Sequence, residues 1–145
     1  MFKKILVALD GLDTERNVLS SAAALGKACN SKLVLVHVIS DIENSSMLEL
    51  SLSFEEFYEE LRKETCSASE QMLSTAKEKI DSSVHVKTLS LIGNPAEKIL
   101  ETIENEKADA VILGSRGVGK LSELLLGSTV YKVLHAAKVP VIVIK

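Results

Sequence analysis

The sequence predicts an α/β fold: a doubly wound parallel sheet with helices on both faces, built as a single domain over residues 1–145. Three observations carry this reading. Five apolar runs alternate with four segments of helical period. Two of the runs are almost unbroken by polar residues, as strands covered on both faces should be. The fourth run ends in glycines, Gly114-Ser115-Arg116-Gly117-Val118-Gly119-Lys120, with Gly127-Ser128 beyond. That is how open α/β sheets pass from a strand to a helix at a ligand crevice.

The first run, residues 5–9, is followed by Asp10-Gly11. A helical pattern over residues 14–29 then places Val18, Leu19, Ala22, Ala23 and Leu25 on one side, with Asp13 as N-cap. Residues 33–39 form the second strand. The one long connection, residues 41–52, has no clear period and reads as a mobile loop or irregular helix start able to cover a ligand. Next comes a long helix over residues 53–80, opened by the capping-box pattern Ser53-Phe54-Glu55-Glu56 and repeating Phe57, Leu61, Ala68, Met72, Ala76 and Ile80.

Residues 84–89 alternate apolar with polar, as a half-exposed strand near a sheet edge does. Asn94-Pro95 is a cap followed by proline at the first helical position, and Ile99, Leu100 and Ile103 form the buried side of that helix. The fourth strand is residues 110–113. A last helix, residues 127–137, turns Val130, Val133, Leu134 and Ala137 inward, and the chain closes with a strand from Val139 to Ile144. The order βαβαβαβαβ requires right-handed crossovers.

Composition narrows the function. Hydrophobic residues are 46% of the chain, enough for a real core. Aromatics are 3% and Trp is absent, so stacking platforms for single-stranded nucleic acid are scarce. Lys and Arg number 17 against 20 Asp and Glu, a net charge of −3, which argues against nucleic acid as a partner. Cys29 and Cys66 are isolated, lack metal-ligand spacing and read as buried thiols. With neither a leader nor a membrane-length apolar run, the expectation is a cytoplasmic protein with no membrane partner.

The glycine stretch carries the chemistry. Glycine reaches positive φ, and without a Cβ an anion can approach the backbone amides. Gly127-Ser128 opens a helix whose first amides and positive dipole end offer a second anion seat, though Ser128 equally fits a plain helix cap. Asp10 ends the first strand, where it either meets a ribose hydroxyl, an adenine amine or a metal, or simply caps a helix. Arg116 reads as a solvated charge. His37 reads as a packed residue of a central strand rather than a base, His85 as exposed, and His135 as remote from the glycines. None of the three sits beside a nucleophile in sequence.

Two motif readings compete. A P-loop, G-x-x-x-x-G-K-[ST], fits from Gly114 through Lys120, but Leu121 stands where the metal-binding hydroxyl belongs. The other is G-x-x-G-x₉-G-[ST], met by Gly114, Gly117, Gly127 and Ser128. With Lys-Ile-Leu-Val-Ala-Leu-Asp at the start, Leu-Val-His-Val-Ile in the second strand and Pro-Val-Ile-Val-Ile at the end, the whole chain resembles the universal stress protein family, in its ATP-binding branch.

The resemblance implies an adenine nucleotide alpha hydrolase-like sheet of order 3-2-1-4-5, a homodimer and ATP as ligand. It implies that Asp10 contacts the nucleoside and Val38 meets adenine through its backbone. It further implies that Gly114, Gly117, Gly127 and Ser128 surround ribose and phosphates, with Mg²⁺ or Mn²⁺ between phosphate oxygens. Lys120 and Thr129 are candidates for further phosphate contacts. One departure is visible: many relatives carry Asp-x-Ser after the first strand, and here the residues are Asp10-Gly11-Leu12.

The first functional reading is therefore an ATP-binding regulatory protein of the stress response, with slow or no hydrolysis. A P-loop-like NTPase with an atypical metal site and a dimeric interaction module that binds no nucleotide remain open. The greasy last strand, Val139 to Ile144, is expected at a sheet edge, where pairing with its copy in a homodimer would cover it. Leu121, Leu124, Leu125 and Leu126 are expected to pack the glycine loop onto the body or to meet a partner.

Overall fold

The computed structural model describes residues 1–11, 15–40, 54–115 and 126–145. Its elements are β1 (Lys4–Leu9), α1 (Glu15–Cys29), β2 (Lys32–Ile39), α2 (Phe54–Glu78), β3 (Val86–Ile92), α3 (Pro95–Glu106), β4 (Ala110–Gly114), α4 (Ser128–Ala136) and β5 (Val141–Ile144). The strands form one five-stranded sheet in the order β3-β2-β1-β4-β5, parallel throughout. The expected fold class and strand order are both met.

Side chains alternate between the two faces of each strand. Ile5, Val7, Leu9, Leu33, Leu35 and Ile112 pack against α1 and α2 on one face. Leu6, Val34, Val36, Val111 and Leu113 pack against α3 and α4 on the other. This double cover explains why β1, β2 and β4 are almost unbroken apolar runs. The amino ends of the strands are tied by polar contacts. The Asp109 carboxylate accepts from the Lys3 and Lys4 amides, both at 2.8 Å, and the Ser31 hydroxyl donates to the Phe2 carbonyl. The carboxyl ends are thus the rim left for function.

Several details differ from the sequence reading. β3 starts at Val86 and runs on to Ile92, past the alternating stretch. β5 begins at Val141, because Pro140 can only lend its carbonyl, which accepts from the Val111 amide. On α2 the buried line is Ser69, Leu73 and Ala76, continued by Ile80 just past the helix end, whereas Phe57 is 59% exposed and Ala68 is exposed. Two hydroxyl residues, Thr65 and Ser69, stand where a purely apolar seam was expected. Leu134 of α4 is exposed, and Cys29 and Cys66 are half-buried rather than buried.

Asn94 caps α3 as expected, its side chain accepting from the Glu97 amide, with Pro95 next. The expectations for Asp13, Ser53, the connection over residues 41–52, Arg116, Gly117, Gly119, Lys120, Leu121, Leu124 and Leu125 lie outside the described residues. Leu126 is described and is 43% exposed. No helix among the described residues is long and apolar enough to cross a membrane.

Candidate functional site

β1 is the strand at which the winding reverses. It pairs with β2 on one side and β4 on the other, and the register Ala8↔Leu113 brings Asp10 and Gly114 to the same rim. Side chains of the two flanking helices cannot close over a rim where the connections diverge, so a crevice forms there. A cavity of about 330 Å³ opens at this point, near the small end of the range for ligand pockets.

Its floor is the strand ends, with Asp10 from β1, Val38 and Ser40 after β2, and Gly114 from β4. Its walls are Val18 of α1, Thr65 of α2, Pro95 and Ile99 of α3, and Thr129 and Val130 of α4. Asp10, Val38, Gly114 and Thr129 were singled out from the sequence, and all four line this one space. Gly127 and Ser128 stand beside it at the start of α4. Gly117 and Lys120 lie outside the described residues.

The end of β4 and the start of α4 are stitched together. The Ser115 amide donates to the Ile144 carbonyl at 2.8 Å, and the Gly127 amide donates to the Ser115 carbonyl at 3.1 Å. Gly127, not Ser128, is the N-cap of α4, and no side chain caps it. The first helical bond runs from the Tyr131 amide to the Gly127 carbonyl at 3.0 Å. The amides of Ser128, Thr129 and Val130 therefore have no acceptor within the helix, and they sit at its positive end next to the cavity. Gly11, just after Asp10, takes φ +83°, a backbone state that only glycine adopts cheaply, so the turn out of β1 depends on it.

His37 is the residue the sequence undervalued. It lines the cavity and is half-buried, and its Nδ1 lies 2.7 Å from the Ser69 hydroxyl. Burial pushes its imidazole pKa below the ordinary value, while the Asp10 charge pulls it back up. Burial is the larger of the two effects. Thr65 was missed because one hydroxyl on a helix gives no signal of its own. Among the described residues no three of His, Cys, Asp and Glu gather to hold a metal.

Comparison with known proteins places these features in context. The family model described as the universal stress protein family matches residues 1–145. The universal stress protein YxiE of Bacillus subtilis is 32% identical over 148 residues, covering all of both chains. The universal stress protein MJ0577 of Methanocaldococcus jannaschii is 34% identical over 155 residues, covering all of this chain and 96% of that one. Its solved structure superposes with a TM-score of 0.85 over the same shares. A universal stress protein from Archaeoglobus fulgidus, solved in complex with dAMP, shares the fold at a TM-score of 0.63 and 22% identity, covering 99% of this chain and 98% of that one.

Proposed function

The chain belongs to the universal stress protein family, and from that premise we propose that it is a regulatory protein that binds ATP at the β1/β4 crevice and hydrolyses it slowly or not at all. The observation that carries the proposal is the meeting of a cavity at the reversal of strand order with the uncapped amino end of α4. Together they offer a largely apolar chamber for a base and free amides for phosphate oxygens. The dAMP complex of the Archaeoglobus relative supports a nucleotide as the kind of ligand this fold accepts.

In this reading the nucleoside occupies the side of the cavity formed by Asp10 and Val38. Gly114, Gly127, Ser128 and Thr129 surround ribose and phosphates, joined by Gly117 and Lys120 from the glycine loop. A divalent ion, Mg²⁺ or Mn²⁺, would be held by phosphate oxygens that the nucleotide itself supplies. Such an ion supplies charge neutralisation for the phosphate tail. Backbone amides bind phosphate without needing a base.

The protein is further proposed to work in the cytoplasm as a homodimer. β5 ends the sheet, its four residues are half-buried, and Leu126, Tyr131 and Leu134 of the neighbouring α4 region are exposed. An apolar edge flanked by exposed apolar side chains is a surface that pairing with a copy would cover.

Thermal unfolding and ADP release, followed together with Mg²⁺-ATP, test the proposal. At 100 times the dissociation constant, ATP should add about 2.7 kcal/mol of stability. Turnover should stay below about 1 s⁻¹, the low end for enzymes. An unchanged melting curve at millimolar ATP would remove nucleotide binding, and faster turnover would make the protein an enzyme.

A further inference from the structure

His37, near the carboxyl end of β2, lines the cavity, and its imidazole is anchored by other elements of the fold. His37 and Ser90 are register partners on β2 and β3, so their side chains leave the sheet on the same face. Above them α2 brings down Ser69, which is 3% exposed. The Ser69 hydroxyl lies 2.7 Å from His37 Nδ1 and 2.7 Å from the Ser90 hydroxyl. Three elements thus contribute to one hydrogen-bonded chain, from the cavity through the α2 face to the edge strand.

Proton counting gives this chain a property. A neutral imidazole has one donor and one acceptor nitrogen. When Ser90 donates to Ser69 and Ser69 donates to Nδ1, the ring proton sits on Nε2, which is then a donor. When Nδ1 donates to Ser69 and Ser69 to Ser90, Nε2 is an acceptor. The serine pair therefore holds the ring in place, and whichever direction the chain of donors takes sets the character of the nitrogen that remains for a ligand. A nucleobase edge is a row of donors and acceptors, so such a nitrogen discriminates among bases while a phosphate tail is indifferent to it.

We infer that His37 is a specificity-determining residue for the nucleobase, and that Ser69 and Ser90 are its positioning residues, acting through the hydrogen bond at Nδ1. The inference rests on the nucleotide reading above and deepens it. It assigns the base end of the cavity to the β2 side, walled by His37 and Thr65, with Thr65 tied back to its own helix through a 2.7 Å bond to the Leu61 carbonyl.

The experiment measures dissociation constants of the full chain for ATP, GTP and inorganic tripolyphosphate, for the wild type, Ser69→Ala and Ser90→Ala. It is paired with ¹⁵N spectra of the His37 ring without ligand. Wild-type protein should show one dominant neutral tautomer. Ser69→Ala should mix the tautomers, lower the preference for ATP over tripolyphosphate about five- to tenfold, the scale of one hydrogen bond, and narrow the gap between ATP and GTP. Ser90→Ala, on the edge strand, should act in the same direction and more weakly, and it provides the reading should Ser69→Ala not fold.

Loss of ATP and tripolyphosphate affinity in equal proportion would make the serines merely structural and overturn the inference. So would altered ring tautomers with unchanged ligand preference. Wild-type protein that binds neither ATP nor tripolyphosphate overturns the nucleotide reading itself, and this inference with it.

Discussion

Gly114 and Val18 face each other at the cavity wall: a β-carbon placed on Gly114 would lie 3.4 Å from Val18 Cγ2. That is ordinary contact, and Gly114 is not among the glycines at positive φ. The fold itself therefore tolerates alanine here, and glycine serves close approach by a ligand. Gly114→Ala should keep stability within about 1 kcal/mol and weaken ATP binding about tenfold, ~1.4 kcal/mol. Calorimetry with ATP alongside a melting curve checks both halves. Undiminished affinity would place the nucleotide away from Gly114.

Lys120→Ala separates the cradle from a P-loop. In a P-loop the lysine reaches the outer phosphates and its loss removes nearly all affinity. Where backbone amides carry the phosphates, most of the affinity survives the substitution. A titration with Mg²⁺-ATP reads the difference, and near-complete loss of binding would favour the P-loop.

The sheet was legible in the sequence because β1, β2 and β4 are covered on both faces, so Ile5, Leu33 and Val111 sit in apolar runs that no surface strand would carry. Asn94-Pro95 was legible because cap and proline act locally. The α2 seam was half misread, since Thr65 and Ser69 are polar residues on the inward side while Phe57, an apolar residue of its first turn, is exposed. His37 was legible only as buried. Its partner Ser69 lies 32 residues away, and only the packing of α2 across β2 and β3 brings them together. Asp10, Val38, Gly114 and Thr129 were legible as a group because strand ends at a winding reversal converge by topology.

The corrected seam predicts an asymmetry along α2. Leu73 is 1% exposed and packs in the core, so Leu73→Ala should cost about 2–5 kcal/mol through lost contacts and a cavity. Phe57→Ala should stay within about 0.5 kcal/mol. Urea unfolding of both variants measures this, and comparable costs would mean that the helix is rotated from the position described.

Asp109 predicts a pH dependence. Backbone hydrogen bonds from Lys4 and Lys3 hold its carboxyl below the usual carboxylate range. A depressed folded pKa stabilises the native state above the unfolded pKa of about 4, and that contribution is lost as pH falls through the lower folded value. Asp109→Asn should therefore melt lower than wild type at neutral pH, with the two melting temperatures converging below about pH 4. Parallel curves throughout would remove the charge of Asp109 from the stability of the β1 start.

Tyr131 is 65% and Leu134 40% exposed on α4, so neither supports the monomer core. Tyr131→Glu with Leu134→Glu should leave folding intact and shift the proposed homodimer towards monomer, as read by sedimentation at several concentrations. A dimer of unaltered strength would restrict its interface to β5.

The central claim is that a nucleotide lies across the carboxyl ends of β1 and β4 with its phosphates on the start of α4. Amide chemical shifts of the isotope-labelled chain, recorded while ATP and Mg²⁺ are added, test it most directly. The account predicts saturable changes at Gly11, Val38, Gly114, Gly127, Ser128 and Thr129, with the amino ends of the strands at Lys4 and Lys32 undisturbed. Changes confined to another surface, or none at saturating ATP, would contradict it.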